Sequence, residues 1–422
     1  MGGEYLTFVT DLSAQQTIAK EKTVLTFRKS LPPVLKQVFD YNSNSVDDEY
    51  VKLFPKHFQG KALENLVSKM NKCLQNFIIN GKYYNEEWMT VGLRTFVESI
   101  ICPASFVSIF GEYSSSRSDK MTEVERNILK FTDLFPSLIR GYPISILKGA
   151  TACRQYLWKV LSKQEISGRK NVNGVVKETI SLHELYGESD VLPKRLLSFL
   201  TATQVNSVPS AIWLLYFLHK HPEANKVARE EIERVLKESK ESTSKDVKIE
   251  VTNEDLKKMT VLDSIINESF RLHLAPSMFR IATEDYFVEV AELGRTYKIR
   301  KNDKVLLWVQ MNQMDPDIFE QPEVFQFDRF LNEDGSRKKD FYKNGRLMKC
   351  AFQPFGTGLS KCPGRYFAVN ELKQLAITTL RFFDIELVNP QAEIKMDKNR
   401  IGLGALYPAT DIKIRIRRKA DC

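Results

Sequence analysis

Apolar positions in the first half of the chain recur at helical spacing. Between Ala62 and Phe77 they fall at Leu63, Leu66, Met70, Cys73 and Phe77, which buries one face of a helix. Residues 122–140 and 144–161 repeat the pattern, whereas 164–180 shows no period and reads as loop or short helix. From Leu192 to Leu218 the chain is mostly apolar on every side, as expected of a helix buried within a large helical domain. Gln204, Asn206 and Ser207 interrupt it, and Pro209 removes a backbone donor, which predicts a kink. His221-Pro222-Glu223 opens the next helix, with Pro at the favoured first position, and Ala228, Ile232, Val235 and Leu236 face inward. The charged, Ser-rich stretch 238–247 reads as a surface loop. Thr252 and Asp255 cap a short helix, and another spans about 261–273.

Alternation with period two is rarer. It predicts short strands at 286–290, 296–300 and 304–309, and one near the start, where Met1-Gly2-Gly3 reads as a turn feeding Tyr5 to Asp11. The last stretch, Asp411 to Arg417, alternates apolar and basic residues and reads as an edge strand guarded by Lys and Arg. Residues 311–350 are coil-like and too long for an ordinary connection. A helix is predicted from Arg365 to about Phe382. The class is therefore mainly α with small β-sheets.

Composition narrows the possibilities. Sixty-two Lys and Arg against 53 Asp and Glu leave a net charge of +9. That balance suits an anionic membrane surface or an acidic protein partner. The charge is spread along the chain without an aromatic-interleaved basic stripe, so no nucleic-acid partner is expected. Six cysteines include no C-x-x-C pair, so a single important one would act by ligation or reactivity. No apolar run of about 18 residues is evident, so no membrane-spanning helix is predicted.

The chemistry concentrates near the C-terminus, in Phe355-Gly356-Thr357-Gly358-Leu359-Ser360-Lys361-Cys362-Pro363-Gly364-Arg365. Gly356 and Gly358 let the backbone turn tightly and approach something flat, and Gly364 permits close packing. Cys362 then sits at a helix N-terminus, where the dipole and free N–H groups favour thiolate. A thiolate so held, shielded by Phe355, is what an axial ligand to iron requires. Upstream, Glu268 and Arg271 stand three apart and share a helix face. Arg329, within Phe325-Gln326-Phe327-Asp328-Arg329-Phe330, brings a second guanidinium. Arginine forks bind carboxylates bidentately, so the three would form a buried network pinning 311–350.

The order E-x-x-R, F-x-x-D-R-F, F-x-x-G-x-x-x-C-x-G resembles the cytochrome P-450 superfamily over nearly the whole chain. Within it the likeness is to the branch of the cholesterol and oxysterol 7α-hydroxylases, the sterol 12α-hydroxylase and prostacyclin synthase. The resemblance implies haem b between a long central helix and the Cys-bearing helix, with Cys362 as axial ligand and Arg280 on a propionate. Many members carry Arg or His where Ser360 stands, and a W-x-x-x-R that is absent here, for which His57 or Lys61 would substitute. Members usually have an acid and Thr in the central helix for oxygen activation; Asn206 and Ser207 stand there instead. Matching positions imply substrate walls at Leu200, Thr203, Ala275, Pro276, Ser277, Met278, Leu403 and Ala405. Lys361, Arg365 and Lys373 would form the docking face for NADPH-cytochrome P-450 reductase. The resemblance also implies a single catalytic domain over 1–422 that lacks the N-terminal anchor and first helix, with the full-length protein on the cytosolic face of the endoplasmic-reticulum membrane. A sterol monooxygenase leads; an endoperoxide isomerase and a non-catalytic binder of apolar ligands are the alternatives.

Overall fold

The apolar face read between Leu63 and Phe77 becomes the buried side of helix Gly60–Ile79, where Leu66, Val67, Met70, Leu74 and Ile78 are all enclosed. The computed structural model describes residues 5–21, 23–44, 46–113, 118–239, 249–275, 277–290, 294–358, 361–402 and 404–420. The next two expected helices form at Ser118–Ile139 and Ala150–Val160. Within 164–180 a short helix, Lys163–Ser167, forms as one of the two expected outcomes, but a longer, twelve-residue helix, Gly174–Leu185, also begins there. Asn173 caps it by accepting from the Val175 N–H, but Thr179 and His183 occupy two of its buried positions and hide the apolar period. The Ser-rich stretch expected as a loop lies almost entirely outside the described residues.

The central segment is two helices, Leu192–Gln204 and Ser207–Lys220. The interruption falls at Val205 and Asn206, ahead of the expected kink. Asn206 stands at the N-cap position of the second helix without a side-chain cap bond, and the first internal bond of that helix runs from Ser210 N to Asn206 O. Pro209 thus sits in a first turn, where a missing N–H leaves no bond unmade. It restarts a helix instead of bending one. The core gathers around this pair, with Trp213 buried and its Nε1 donating to Leu406 O at 2.7 Å.

Helix Leu93–Phe110 is long and apolar enough to cross a bilayer, contrary to the sequence reading, yet most of it is buried inside the protein. Strands are short, as expected. Leu6–Val9 lies parallel to Lys304–Trp308 at one edge of a four-stranded sheet that continues through Ser277–Ala282 to Leu25–Thr26. The C-terminal strand Lys413–Arg418 is not at an edge. It runs between Phe383–Leu387 and Met89–Gly92, with Ile414 and Ile416 buried and Lys413 and Arg415 outward. Its arginines 415 and 417 stack on Trp88 instead of guarding an open edge.

Candidate active site

The loop before Cys362 turns at Gly356 and Gly358, with φ of 72° and 62°, where a side chain would strain the backbone. A Cβ at Gly358 would also stand 3.2 Å from Ala19 O, so the loop docks closely on the N-terminal helix Leu12–Lys20. Cys362 N donates to Phe355 O at 2.9 Å, which closes the loop and leaves the sulfur against the start of helix Arg365–Phe382. Burial pushes the Cys362 thiol up, and the Gly364 and Arg365 N–H groups and the Arg365 charge only partly offset it. The helix-end N–H groups favour the thiolate, as expected, but desolvation outweighs them, and a cation at the sulfur would be needed to hold the charge. The expectation for Gly364 is corrected. A Cβ there would meet Cys362 Sγ at 4.0 Å, an ordinary contact, so the protein itself does not require glycine for close packing.

Cys362 faces a cavity of about 420 Å³. Its walls are aromatic: Tyr50, Phe54, Phe58, Phe199, Phe270, Phe355 and Phe367. Phe270 meets Phe355 edge-on at 5.5 Å, so the residue before Arg271 shields the Cys loop. Along the break in the central helices, Thr203, Asn206, Ser207 and Ser210 give the same chamber a polar side. Asn206 Oδ1 accepts from Ala405 N at 3.1 Å, so the short strand Gly404–Ala405 is tied to the break.

The expected substrate wall is redrawn. Thr203 lines the cavity. Leu200 does not: it is fully enclosed in the main core. Met278 packs in the separate core of the N-terminal sheet. Ala405 is buried behind Gly404, which itself lines the chamber. Pro276, Leu403 and Ser360 lie outside the described residues, as do the side chains of Ala275 and Ser277, whose backbones form strands opposite Gly404 and Trp308. The sequence reading missed Tyr50, Phe54 and Phe58, although their i, i+4, i+8 spacing puts three rings on one side of helix Val46–His57 and its end. His57 does not serve as an anion partner in the chamber; its Nε2 lies 3.2 Å from Glu178 Oε1. Lys61 is exposed.

Arg280 is buried with no carboxylate in ion-pair range among the described residues. Its Nη1 and Nη2 reach the carbonyls of Phe279 and Thr357 at 2.9 and 3.4 Å, and burial lowers its pKa. A desolvated cation resting on the Cys loop without a counter-ion calls for an anion there. The residues therefore fit haem b: Cys362 would ligate the iron, Arg280 would meet a carboxylate substituent, Phe355 would cover the sulfur, and Gly364, which lines the chamber, would leave room for a flat ring, whereas Gly358 makes room for the N-terminal helix.

The predicted ionic network is present. Glu268 takes both Nε and Nη2 of Arg271 at 2.7 and 2.8 Å, Arg329 Nε at 3.0 Å, and the backbone N–H of Gln326 at 3.1 Å. Arg271 also donates to the carbonyls of Gln313 and Pro322, at 2.8 and 2.6 Å. The long coil is thereby fastened to helix Thr260–His273. The basic face is smaller than expected. Lys373 is buried and paired with Asp263 at 2.7 Å, which leaves exposed Lys361 and half-buried Arg365, whose guanidinium lies over the Tyr366 ring.

Residues 50–415 match the family described as Cytochrome P450. The chain is 32% identical to the 25-hydroxycholesterol 7-alpha-hydroxylase of Rattus norvegicus, covering 90% of each chain. It is also 32% identical to the 7-alpha-hydroxycholest-4-en-3-one 12-alpha-hydroxylase of Oryctolagus cuniculus, over 99% of this chain and 85% of that one. The fold is similar to the crystal structure of the cytochrome P450DA heme domain, with a TM-score of 0.69 at 17% identity, over 100% of this chain and 88% of the other.

Proposed function

The chain belongs to the cytochrome P450 family, and from that premise we propose that it is a sterol monooxygenase acting on cholesterol or an oxysterol in the manner of a 7α-hydroxylase. One observation carries the reading: Cys362 and the polar helix break share an otherwise apolar, largely aromatic chamber. Haem b, when bound, supplies activation of dioxygen with two electrons and insertion of one oxygen atom into an unactivated C–H bond. The chain's own residues supply the rest. Tyr50, Phe54, Phe58 and Phe199 present rigid apolar area to a fused-ring substrate and exclude bulk water. Ser207 offers a hydroxyl that can hold a proton beside the reacting atoms, while Asn206 fixes Gly404 next to the helix break through Ala405 N. Lys361 and Arg365 would receive an acidic partner, NADPH-cytochrome P-450 reductase, at the endoplasmic-reticulum surface.

A 12α-hydroxylase-like activity is the second reading, because identity to that relative equals identity to the 7α-hydroxylase. An isomerase of the prostacyclin-synthase kind is less favoured, since the resemblance to that kind implies Trp where Phe355 stands and no hydroxyl where Ser207 stands. The test incubates reconstituted protein, reductase and NADPH with cholesterol, 25-hydroxycholesterol and a 7α-hydroxylated sterol. A reductase-dependent product one oxygen heavier is expected, and its position separates the two hydroxylases. Products formed equally well without reductase, or none from any sterol, would overturn the assignment.

A further inference from the structure

The chamber owes its polar side to the break between Leu192–Gln204 and Ser207–Lys220, where Thr203, Asn206 and Ser207 line one space. Where a helix stops, its last carbonyls lose their donors. In an unbroken helix Val205 O would accept from the N–H of residue 209, and Pro209 has none. Val205 O finds a donor far along the chain instead: Arg400 Nη2 reaches it at 3.3 Å. Arg400 ends the turn Lys398–Arg400 and is only 3% exposed. Among the described residues it forms no ion pair, and the contact with Val205 O is its one side-chain hydrogen bond. The acids around it are engaged elsewhere: Arg94 takes Glu98 and Asp133, and Asp397 accepts from Asn399 N. The guanidinium groups of Arg94 and Arg400 lie over the Tyr407 ring, at 4.6 and 4.8 Å, and Arg400 Nε has no partner. The same loop grips the break a second time. Asp397 N closes it on Tyr407 O at 2.8 Å, and Ala405 N donates to Asn206 Oδ1 at 3.1 Å.

We propose that Arg400 is a positioning residue for the reaction: it supplies Val205 O with the donor that Pro209 lacks, and so keeps the central helix broken with Asn206 and Ser207 facing the chamber. Its consequence for turnover rests on the monooxygenase reading above; the contact itself does not. A buried cation without a carboxylate is costly, and burial lowers the Arg400 pKa, so packing on the Tyr407 ring alone does not account for a guanidinium there. An apolar side chain would cover the ring without that cost. It would also strand Val205 O in a dry core, which favours any rearrangement that finds this carbonyl another donor. Asn206 and Ser207, the next two residues, then move with it. Arg400 lines no part of the chamber, so it acts on a bound sterol only through the break.

Two readouts on the haem-loaded protein test this. In hydrogen exchange, Arg400→Met is expected to speed the peptides that contain Ser210 and Ala405 on the order of tenfold, while those of helix Gly60–Ile79 keep their rates. Pro209→Ala gives Val205 O a backbone donor of its own, so in that background Arg400→Met is expected to add a smaller increase. Unchanged exchange at the break, an equal rise in Gly60–Ile79, or the same increase in both backgrounds overturns the proposal without reference to any reaction. With reductase, NADPH and a sterol that wild type oxidises, Arg400→Met is expected to lower kcat on the order of tenfold at nearly constant KM, and Arg400→Lys to recover part of the loss. A raised KM with kcat intact would mean that Arg400 serves substrate binding, and overturns the proposal. Should Arg400→Met fail to fold, Arg400→Lys supplies both readouts with smaller changes of the same sign. Should wild type oxidise no sterol, the functional reading fails by itself, and the exchange result alone decides whether Arg400 holds the break.

Discussion

Glu268 gathers two guanidinium groups on one carboxylate where no water reaches, and each contact was foreseeable from residue type and spacing alone. Its side chain and that of Arg271 are fully enclosed, and Arg329 is nearly so. Removing one member of such a group strands the others without counter-charge. Glu268→Gln is therefore expected to destabilise the fold by about 3–5 kcal/mol, read as a lower midpoint in denaturant. A loss under about 1 kcal/mol would mean the network does not hold the coil 311–350 in place. Cys362 was legible in the same way, because its loop glycines and following Pro-Gly mark a helix start. What the sequence could not disclose was the balance of forces at the sulfur, since desolvation depends on which distant rings enclose it.

At the scale of elements, helices with a clean apolar stripe were read correctly, and those with polar buried positions were not. Gly174–Leu185 hides its period behind Thr179 and His183. Pro209 marked a disruption, but its consequence depended on where a new helix would start, and that start is Asn206, whose side chain bonds the strand Gly404–Ala405 instead of the helix end. Alternation in Lys413–Arg418 showed that one face is buried without showing how many strands flank it. The break is held by a close approach: Gly404 has φ of 101°, and a Cβ there would fall 2.4 Å from Asn206 Oδ1. Gly404→Ala should therefore push Asn206 off Ala405 N and misplace the polar side of the chamber. The expected outcome is at least about tenfold weaker sterol binding, measured by the substrate-induced change in the haem absorption spectrum, with a loss of about 1–2 kcal/mol in stability. Unaltered binding would show that the strand does not position the break.

Over the whole molecule, buried titratable groups pull stability in opposite directions with pH. His273 is stacked on Trp213 in the core, and burial pulls its pKa from 6.5 down to about 3; His219 is drawn down to about 4. Groups lowered in the folded state stabilise it above pH 6.5, and that contribution is lost as pH falls toward those values. Glu371 is raised from 4.5 to about 7, so its contribution is full below pH 4.5 and lost as pH rises through 7. In denaturant midpoints followed from pH 4 to 8.5, His273→Gln should therefore flatten the loss on acidification below pH 6.5, and Glu371→Gln the opposing limb that runs from pH 4.5 and ends near 7. Limbs that keep their slopes in these variants would contradict the assignment of the buried groups. All of the chemistry nonetheless depends on a single sulfur atom, and carbon-monoxide difference spectra of the reduced, haem-loaded protein test it most directly. Wild type is expected to show the absorption characteristic of a thiolate-ligated iron, and Cys362→His to replace it with that of an imidazole-ligated one. A wild-type spectrum without the thiolate signature, or the same spectrum from both proteins, would contradict the account.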